Sequence, residues 1–258
     1  MTDIIKLLHV TDTHLCADPD KTLKDCNTRA SFESVLELAQ QDDDWPPDAI
    51  VVTGDLSHDG TRKAYKAFAD LLAPLQCPVY ALPGNHDVPP VMYDQLDKQK
   101  IDTTGSYKLG AWQLVMLDCF LPGEVCGHFD AHELEQLDHY LDNCCSQHAL
   151  VCLHQQPVPI GSAWLDEVGL DNPDEFFSVL DKHSHVRCVL WGHVHQDFVT
   201  ERNGVSLMSS PSTCIQFAPG AVDFKLDTAS AGYRWLELQT DGALKTRVHR
   251  IIDINAIE

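Results

Sequence analysis

Residues 79–87 read VYALPGNHD. Val79–Leu82 is a short apolar run that suits a buried strand, and Gly84-Asn85-His86-Asp87 follows at once, four residues that turn the chain or coordinate. The construction recurs along the chain. Ile4–Val10 runs into Asp12-Thr13-His14, Ala49–Thr53 into Gly54-Asp55, Ala149–Leu153 into His154, and Val186–Trp191 into Gly192-His193-Val194-His195. Between these runs lie stretches with apolar residues at helical spacing. They are Asn27–Gln41 (Phe32, Val35, Leu36, Leu38), Arg62–Leu75 (Tyr65, Phe68, Leu71, Leu72), Asp130–Cys144 and Pro173–Lys182, and Trp112–Asp118 adds a further strand. Buried strands alternating with amphipathic helices predict α/β layers, in which ligands gather at the carboxyl ends of strands. Beyond about residue 195 the segments shorten to Phe198–Thr200, Val205–Met208, Val222–Leu226, Arg234–Leu238 and Lys245–His249. Turn signals at Asn203-Gly204 and Asp241-Gly242 make antiparallel strands the expectation there. No linker, repeat or low-complexity segment marks a boundary, so residues 1–258 are expected to form a single domain.

Composition narrows the partners. The 258 residues carry 39 acidic against 18 basic side chains, a formal charge of −21. A DNA, RNA or anionic-membrane surface needs concentrated Lys and Arg, so neither nucleic acid nor membrane is an expected partner. A hydrophobic content of 44 % supports a sizeable core. No run reaches the roughly 20 apolar residues of a membrane span, and MTDIIKLLHVTDTH lacks a secretory signal, which makes the cytoplasm the expected location. The 10 cysteines (16, 26, 77, 119, 126, 144, 145, 152, 188 and 214) form no CxxC and read as reduced, largely buried thiols. The 14 histidines, beside so much acid, invite a search for metal ligands.

Singly, each Gly, Asp or His cluster is an ordinary turn. Five in order, each after a strand, are not. Gly192-His193-Val194-His195 can also bring two imidazoles to one side of an extended segment. Together Asp12, His14, Asp55, Asn85, His154, His193 and His195 offer two carboxylates, one amide oxygen and four imidazoles. Mixed nitrogen and oxygen donors suit Mn, Fe, Co or Zn rather than Mg or Ca, and seven donors suit two ions sharing a carboxylate. No cysteine falls within a cluster, which favours a hydrolytic site over a structural thiolate zinc.

The motifs D-x-H, G-D, G-N-H-D, H and G-H-x-H in this order resemble the calcineurin-like metallophosphoesterase superfamily. The segments ALPGNHD, GSAWLDEVGLDN, VLWGHVHQDF, SPSTCIQFAP and FKLDTASAGYRWLELQTDG extend the likeness. Over nearly the whole chain they are similar to the bacterial class III 3′,5′-cyclic-AMP phosphodiesterases. The resemblance implies a four-layered α/β/β/α sandwich. It implies two transition-metal ions, Fe²⁺ or Mn²⁺ or a mixed pair, with Zn and Co behind them. Asp12, His14 and His195 would hold the first ion, Asp55 would bridge, and Asn85, His154 and His193 would hold the second. His14, Asn85, His86 and His195 would touch the substrate phosphate.

The implied reaction is hydrolysis of 3′,5′-cyclic AMP to 5′-AMP by in-line attack of a metal-bridging hydroxide, lowering the second messenger. Two divalent ions, two carboxylates and a hydroxide leave about +1, a suitable field for a phosphodiester monoanion. His86, not itself a ligand, is the expected catalytic donor to the leaving 3′-oxygen, with Asp59 or Asp87 to orient it.

Departures from related patterns count against neighbouring branches. His154-Gln155-Gln156-Pro157 replaces a longer His run but keeps its first His. His58 stands where purple acid phosphatases carry a Tyr, and GDLSHDG with GNHD differs from the GDxxDRG and GNHE of protein phosphatases. The alternatives are a related diesterase acting on glycerophosphodiesters, 2′,3′-cyclic nucleotides or phosphonate monoesters, a nuclease, which the charge disfavours, and a non-catalytic metal-binding scaffold. Histidines 9, 58, 128, 132, 139, 148, 183, 185 and 249 receive no role, His58 being the one to watch. Trp112, Trp191, Phe217 and Tyr233 are expected in the core, with Phe217 the one placed to approach a nucleoside.

Overall fold

The computed structural model describes residues 4–144 and 147–252, so Cys145 lies outside the described residues. The chain opens with strand β1 (Ile5–Val10), the small hairpin β2 (Thr22–Leu23) and β3 (Cys26–Asn27), and helix α1 (Thr28–Gln40). Then come β4 (Ala49–Thr53), α2 (Arg62–Leu72) with a 3₁₀ turn at Ala73–Leu75, β5 (Val79–Leu82), α3 (Pro89–Asp97), β6 (Gly105–Leu109) and β7 (Trp112–Met116). The second half runs α4 (Ala131–Asn143), β8 (His148–Cys152), α5 (Ala163–Asp166), α6 (Pro173–Leu180) and β9 (Val186–Trp191). It ends with β10 (Phe198–Arg202), β11 (Val205–Ser209), β12 (Gly232–Leu238) and β13 (Leu244–Arg250).

These strands form two large sheets, ordered β13-β12-β1-β4-β5 and β10-β11-β9-β8-β7-β6. Three packed layers of side chains fix their stacking. Leu8, Val10, Ile50, Val52 and Ala81 meet Phe32, Val35, Tyr65, Phe68 and Met92 of α1, α2 and α3. Leu7, Val51 and Leu82 meet Leu114, Leu150 and Leu190 between the two sheets. Val115, Val151 and Val189 meet Leu137, Leu141 and Phe176 of α4 and α6. Alternate residues of each central strand therefore serve different layers, as the two-residue period of a strand requires. The result is the expected four-layered α/β/β/α sandwich.

The helices start where side chains accept the first free amides: Asn27 from Ala30, Thr61 from Ala64 and Asp130 from Glu133. Helix α3 is a departure from expectation. No helix was expected over residues 89–97, and its two prolines sit in the first turn, where their missing N–H has no partner to lose. The short elements β6, α5 and the β2–β3 hairpin are likewise additional. Val222–Leu226 is a correction: it is no strand, and a single bridge joins Leu226 to Phe217. Its alternating Val222, Phe224 and Leu226 are 73 %, 49 % and 38 % exposed, so the apolar face has no sheet to lie on. The antiparallel expectation holds for β10 with β11 and for β12 with β13, but β11 joins β9 in parallel.

Candidate metal centre

Strands β1, β4 and β5 are mutually parallel in one sheet, and β8 and β9 in the other. All five end at the same side of the sandwich, and their following loops carry every residue of the expected donor set. The loops are tied together by backbone hydrogen bonds, Asp12 N to Gly54 O (3.1 Å), His14 N to Asp55 O (2.9 Å) and Gly192 N to His154 O (3.1 Å). Five of the seven donors, Asp12, His14, Asp55, His193 and His195, have positive φ between 46° and 63°. Such backbone is costly for residues with a Cβ and persists where the surroundings impose it, commonly at functional sites. Two glycines supply the closeness. A Cβ on Gly84 would collide with Asp55, and one on Gly192 would fall on Thr11 Oγ1 and within 2.9 Å of Asp12 Oδ2.

The donor atoms converge. Asp12, His14 and His195 form one set with ligand atoms within 4.8 Å of one another, and Asp12, Asp55 and His154 form a second. Asp55 Oδ2 lies 3.6 Å from His14 Nε2 and 3.5 Å from His154 Nε2, between the two. Asn85 Oδ1 is 3.1 Å from His154 Nε2. The His193 ring lies 5.1 Å from that of His154, and its Nε2 is buried with no hydrogen-bond partner. All seven residues are thus brought together.

Their arrangement fits metal ions. His154 Nδ1–H donates to Thr53 O (2.7 Å), and His195 Nδ1–H donates to Ile215 O (2.8 Å). Each ring consequently turns Nε2 toward other acceptors: His154 toward Asn85 and Asp55, His195 toward Asp12 Oδ1 at 3.4 Å and His14 Nε2 at 3.3 Å. Lone pairs facing lone pairs call for a cation between them, and the outer hydrogen bonds are those that orient metal-binding imidazoles.

The electrostatics agree. Burial would raise the Asp12 carboxyl, but His195 and His154 beside it bring it down to about 2. Asp55 is held well below the usual carboxylate range in spite of burial, by His154 and His14. His154 is pushed up to about 9, its burial outweighed by Asp55 and Asp12, whereas burial takes His14 and His193 down to about 3. Two buried carboxylates therefore demand positive charge, which a proton on His154 meets in part and which a bound metal ion would supply in that proton's place.

A directed chain supports Asp12 from below. Ser210 Oγ–H donates to His9 Nδ1 (2.5 Å), and His9 Nε2–H to Thr53 Oγ1 (2.8 Å). Thr53 Oγ1–H donates to Thr11 Oγ1 (2.9 Å), and Thr11 Oγ1–H to Asp12 Oδ2 (2.8 Å). His9 is fully buried and neutral, its pKa lowered to about 3 by burial and by Arg234. The sequence reading gave His9 no role. Its signal was a polar residue on the inward face of an apolar strand, one alternation from Leu7.

His86 stands at the mouth, exposed, its backbone N–H on Asp55 Oδ1 (2.9 Å) and its ring against His14 (4.9 Å) and His58 (5.1 Å). The expectation that Asp59 or Asp87 orients it is corrected. Asp87 accepts from the amides of Gly84, Leu56 and Ser57, and burial with neighbouring Asp55 pushes it up to about 7. Asp59 accepts from Ala17, Ser57 and Thr61. Both carboxylates hold loops, and His86 is positioned by ring packing on His58. Trp112, Trp191 and Tyr233 are buried as expected, while Phe217 lines the cavity above the donors and stacks on His195 at 4.2 Å.

Residues 5–197 match the family model for calcineurin-like phosphoesterases. The chain belongs to that family. Among curated relatives of this calcineurin-like phosphoesterase, a Pseudomonas aeruginosa protein named 3′,5′-cyclic adenosine monophosphate phosphodiesterase CpdA is 39 % identical, covering 97 % of this chain and 91 % of its own. The Escherichia coli K12 protein of the same name is 40 % identical, over 96 % and 90 %. A dimetal phosphatase from Danio rerio shares the fold with a TM-score of 0.65 at 15 % identity, covering 95 % of this chain and 98 % of that one. A family of metallophosphoesterases implies a dimetal site, and the clustered donors meet that requirement. Among the described residues no helix is long and apolar enough to cross a membrane.

Proposed function

We propose that this phosphoesterase hydrolyses 3′,5′-cyclic AMP to 5′-AMP. The observation that carries the reading is the likeness, over nearly the full length of both chains, to relatives named for that reaction. The cation-demanding donor cluster at the bottom of the cavity supports the chemistry. In this reading Asp12, His14 and His195 would hold one ion and Asn85, His154 and His193 the other, with Asp55, which lies between His14 and His154, able to serve both. Mixed nitrogen and oxygen donors suit Mn, Fe, Co and Zn alike, and the likeness to the cyclic-AMP phosphodiesterases is what favours Fe²⁺ or Mn²⁺, or a mixed pair, ahead of Zn or Co. When bound, such ions supply Lewis acidity and hydroxide at neutral pH.

The remaining steps belong to this chain's own residues. His14, Asn85 and His195 border the space in which the phosphoryl oxygens lie, and the outer bonds to Thr53 O and Ile215 O keep the imidazoles of His154 and His195 from turning. His86, at the mouth and free of side-chain hydrogen bonds among the described residues, donates a proton or a charge-assisted hydrogen bond to the departing 3′-oxygen. Two packed sheets sharing one central core support the reading of residues 1–258 as one catalytic domain. A net charge of −21 favours a singly charged small substrate over nucleic acid or an anionic membrane. Unbridged thiols such as Cys16, Cys26 and Cys77 suit a reducing, cytoplasmic setting.

The test is kcat/KM for cyclic AMP, cyclic GMP, 2′,3′-cyclic AMP and bis(p-nitrophenyl) phosphate at defined metal content. Cyclic AMP is expected to lead. A strong preference for the last three overturns the substrate assignment, and inactivity after Mn²⁺ or Fe²⁺ reconstitution favours a scaffold.

A further inference from the structure

The cavity above the donors, about 190 Å³, has a second half that the hydrolytic chemistry leaves unused. Besides the metal-facing floor, the cavity is lined by a wall of Trp164, Phe217 and Phe224 and by Leu23 and Lys24. The three rings brace one another edge to face. Trp164 meets Phe217 at 5.0 Å and Phe224 at 5.3 Å, and Phe217 meets Phe224 at 5.5 Å. Phe217 is anchored to the floor through its stack on His195. Phe224 remains 49 % exposed, although it lies in contact with two other aromatic rings.

Beside this wall the β2–β3 hairpin turns at Lys24 and Asp25, both in left-handed backbone (φ 50° and 67°), the pairing that a tight two-residue hairpin turn requires. That turn carries the Lys24 ammonium to 5.3 Å from the Phe224 ring centroid. Lys24 is the one Lys or Arg among the residues lining the cavity. A ligand that fits both halves has an anionic end for the floor and a flat, polarisable end for the ring.

We infer that Phe224, braced by Trp164 and Phe217, is the platform on which the nucleobase of the substrate stacks, the flexible Lys24 side chain giving up its place over the ring to the base. The inference rests on the cyclic-nucleotide reading of the site. With the phosphate on the floor, the ring contacts from His195 to Phe217 (4.2 Å) and from Phe217 to Phe224 (5.5 Å) lead from the phosphate end of the cavity to its base end. Stacking is tolerant of base identity because every base has a π face. The platform therefore selects for the presence of a base, and its loss weakens binding while leaving the chemical step to the floor.

The experiment uses the metal-loaded full chain as wild type, Phe224→Ala and Phe224→Trp, with cyclic AMP and the abasic ribose 3′,5′-cyclic phosphate as substrates. The wild type is expected to show a KM for cyclic AMP about tenfold below that for the abasic compound, in the range of one stacked base. Phe224→Ala raises the KM for cyclic AMP about tenfold, changes kcat less than twofold and leaves the abasic substrate unaffected, and Phe224→Trp restores the difference. Metal content and melting temperature in the variants control for structural damage. Hydrolysis of cyclic AMP by Phe224→Ala with unchanged KM, or equal losses on both substrates, overturns the platform and leaves the proposed function standing. A wild type that spares cyclic AMP while cleaving other diesters overturns both.

Discussion

The floor of the cavity and its aromatic wall lie a few ångströms apart and are held by different forces. On the floor, polar groups are buried, five donors sit in left-handed backbone, and each oriented imidazole is fixed by a hydrogen bond behind it. The wall is apolar, partly exposed and carried on the short helix α5 and on irregular chain, and its rings lean on each other instead of on a sheet. A buried polar array tolerates little change, because any unpaired member suffers the full desolvation penalty. An aromatic wall loses contact area gradually. Reaction type accordingly belongs to the floor, and the choice of what sits above it belongs to the wall.

Substitutions that separate the two can be ranked. The largest effect is expected from Asp55→Asn, which removes the charge between the two imidazole sets. Turnover should fall at least about a thousandfold with loss of bound metal, read by elemental analysis beside activity. His86→Ala should keep its metal and lower kcat by about a hundredfold or more for cyclic AMP. The loss should be much smaller for a nitrophenyl ester, whose leaving group needs no proton. Equal losses on both substrates would assign His86 to binding.

Gly192→Ala tests how tightly the floor is packed. Its Cβ has no space beside Thr11, Thr53 and Asp12, so chemical denaturation should show a loss of about 2–3 kcal/mol.

His9 gives a pH signature. The folded imidazole resists protonation down to about 3, while the unfolded one takes a proton near 6.5. Between those values the unfolded state holds more protons, so stability is full above the unfolded value and is lost as pH falls. His9→Gln should make the decline of unfolding free energy between pH 4 and 6 shallower, by up to about 1.4 kcal/mol per pH unit.

The smallest change is expected on the wall. Phe217→Leu keeps an apolar surface but loses the stack on His195, and a few-fold rise in the KM for cyclic AMP with unchanged metal content would follow. A loss of metal in Phe217→Leu would instead make Phe217 part of the floor.

Much of the architecture was legible because the layers have distinct periodicities. The bounds of β4, β5 and β9 follow directly from their apolar runs, and the caps at Asn27 and Asp130 open helices where the pattern changes to helical spacing. Val222–Leu226 misled because alternation shows which side chains share a side of the chain, and says nothing about whether a sheet lies beneath them. Helix α3 went unread, since the Pro89-Pro90 pair at its start carries little helix signal although proline suits a first turn. At the site, all seven donors were visible as types in order. His9 was not, since one histidine within a strand carries no chemical signal until its partners are known.

By itself, then, the sequence determined the types of the candidate ligands, their order and their position after strands, because coordination depends on which atoms a side chain carries. Only the tertiary structure decided that Asp55 lies between His14 and His154, and that Asp87 serves backbone amides instead of His86. It alone also decided which imidazole nitrogen faces inward. The atoms that fix those rings are main-chain carbonyls of Thr53 and Ile215. Every residue has such a carbonyl, so its role is set by where the fold brings it and leaves no mark in the residue's identity.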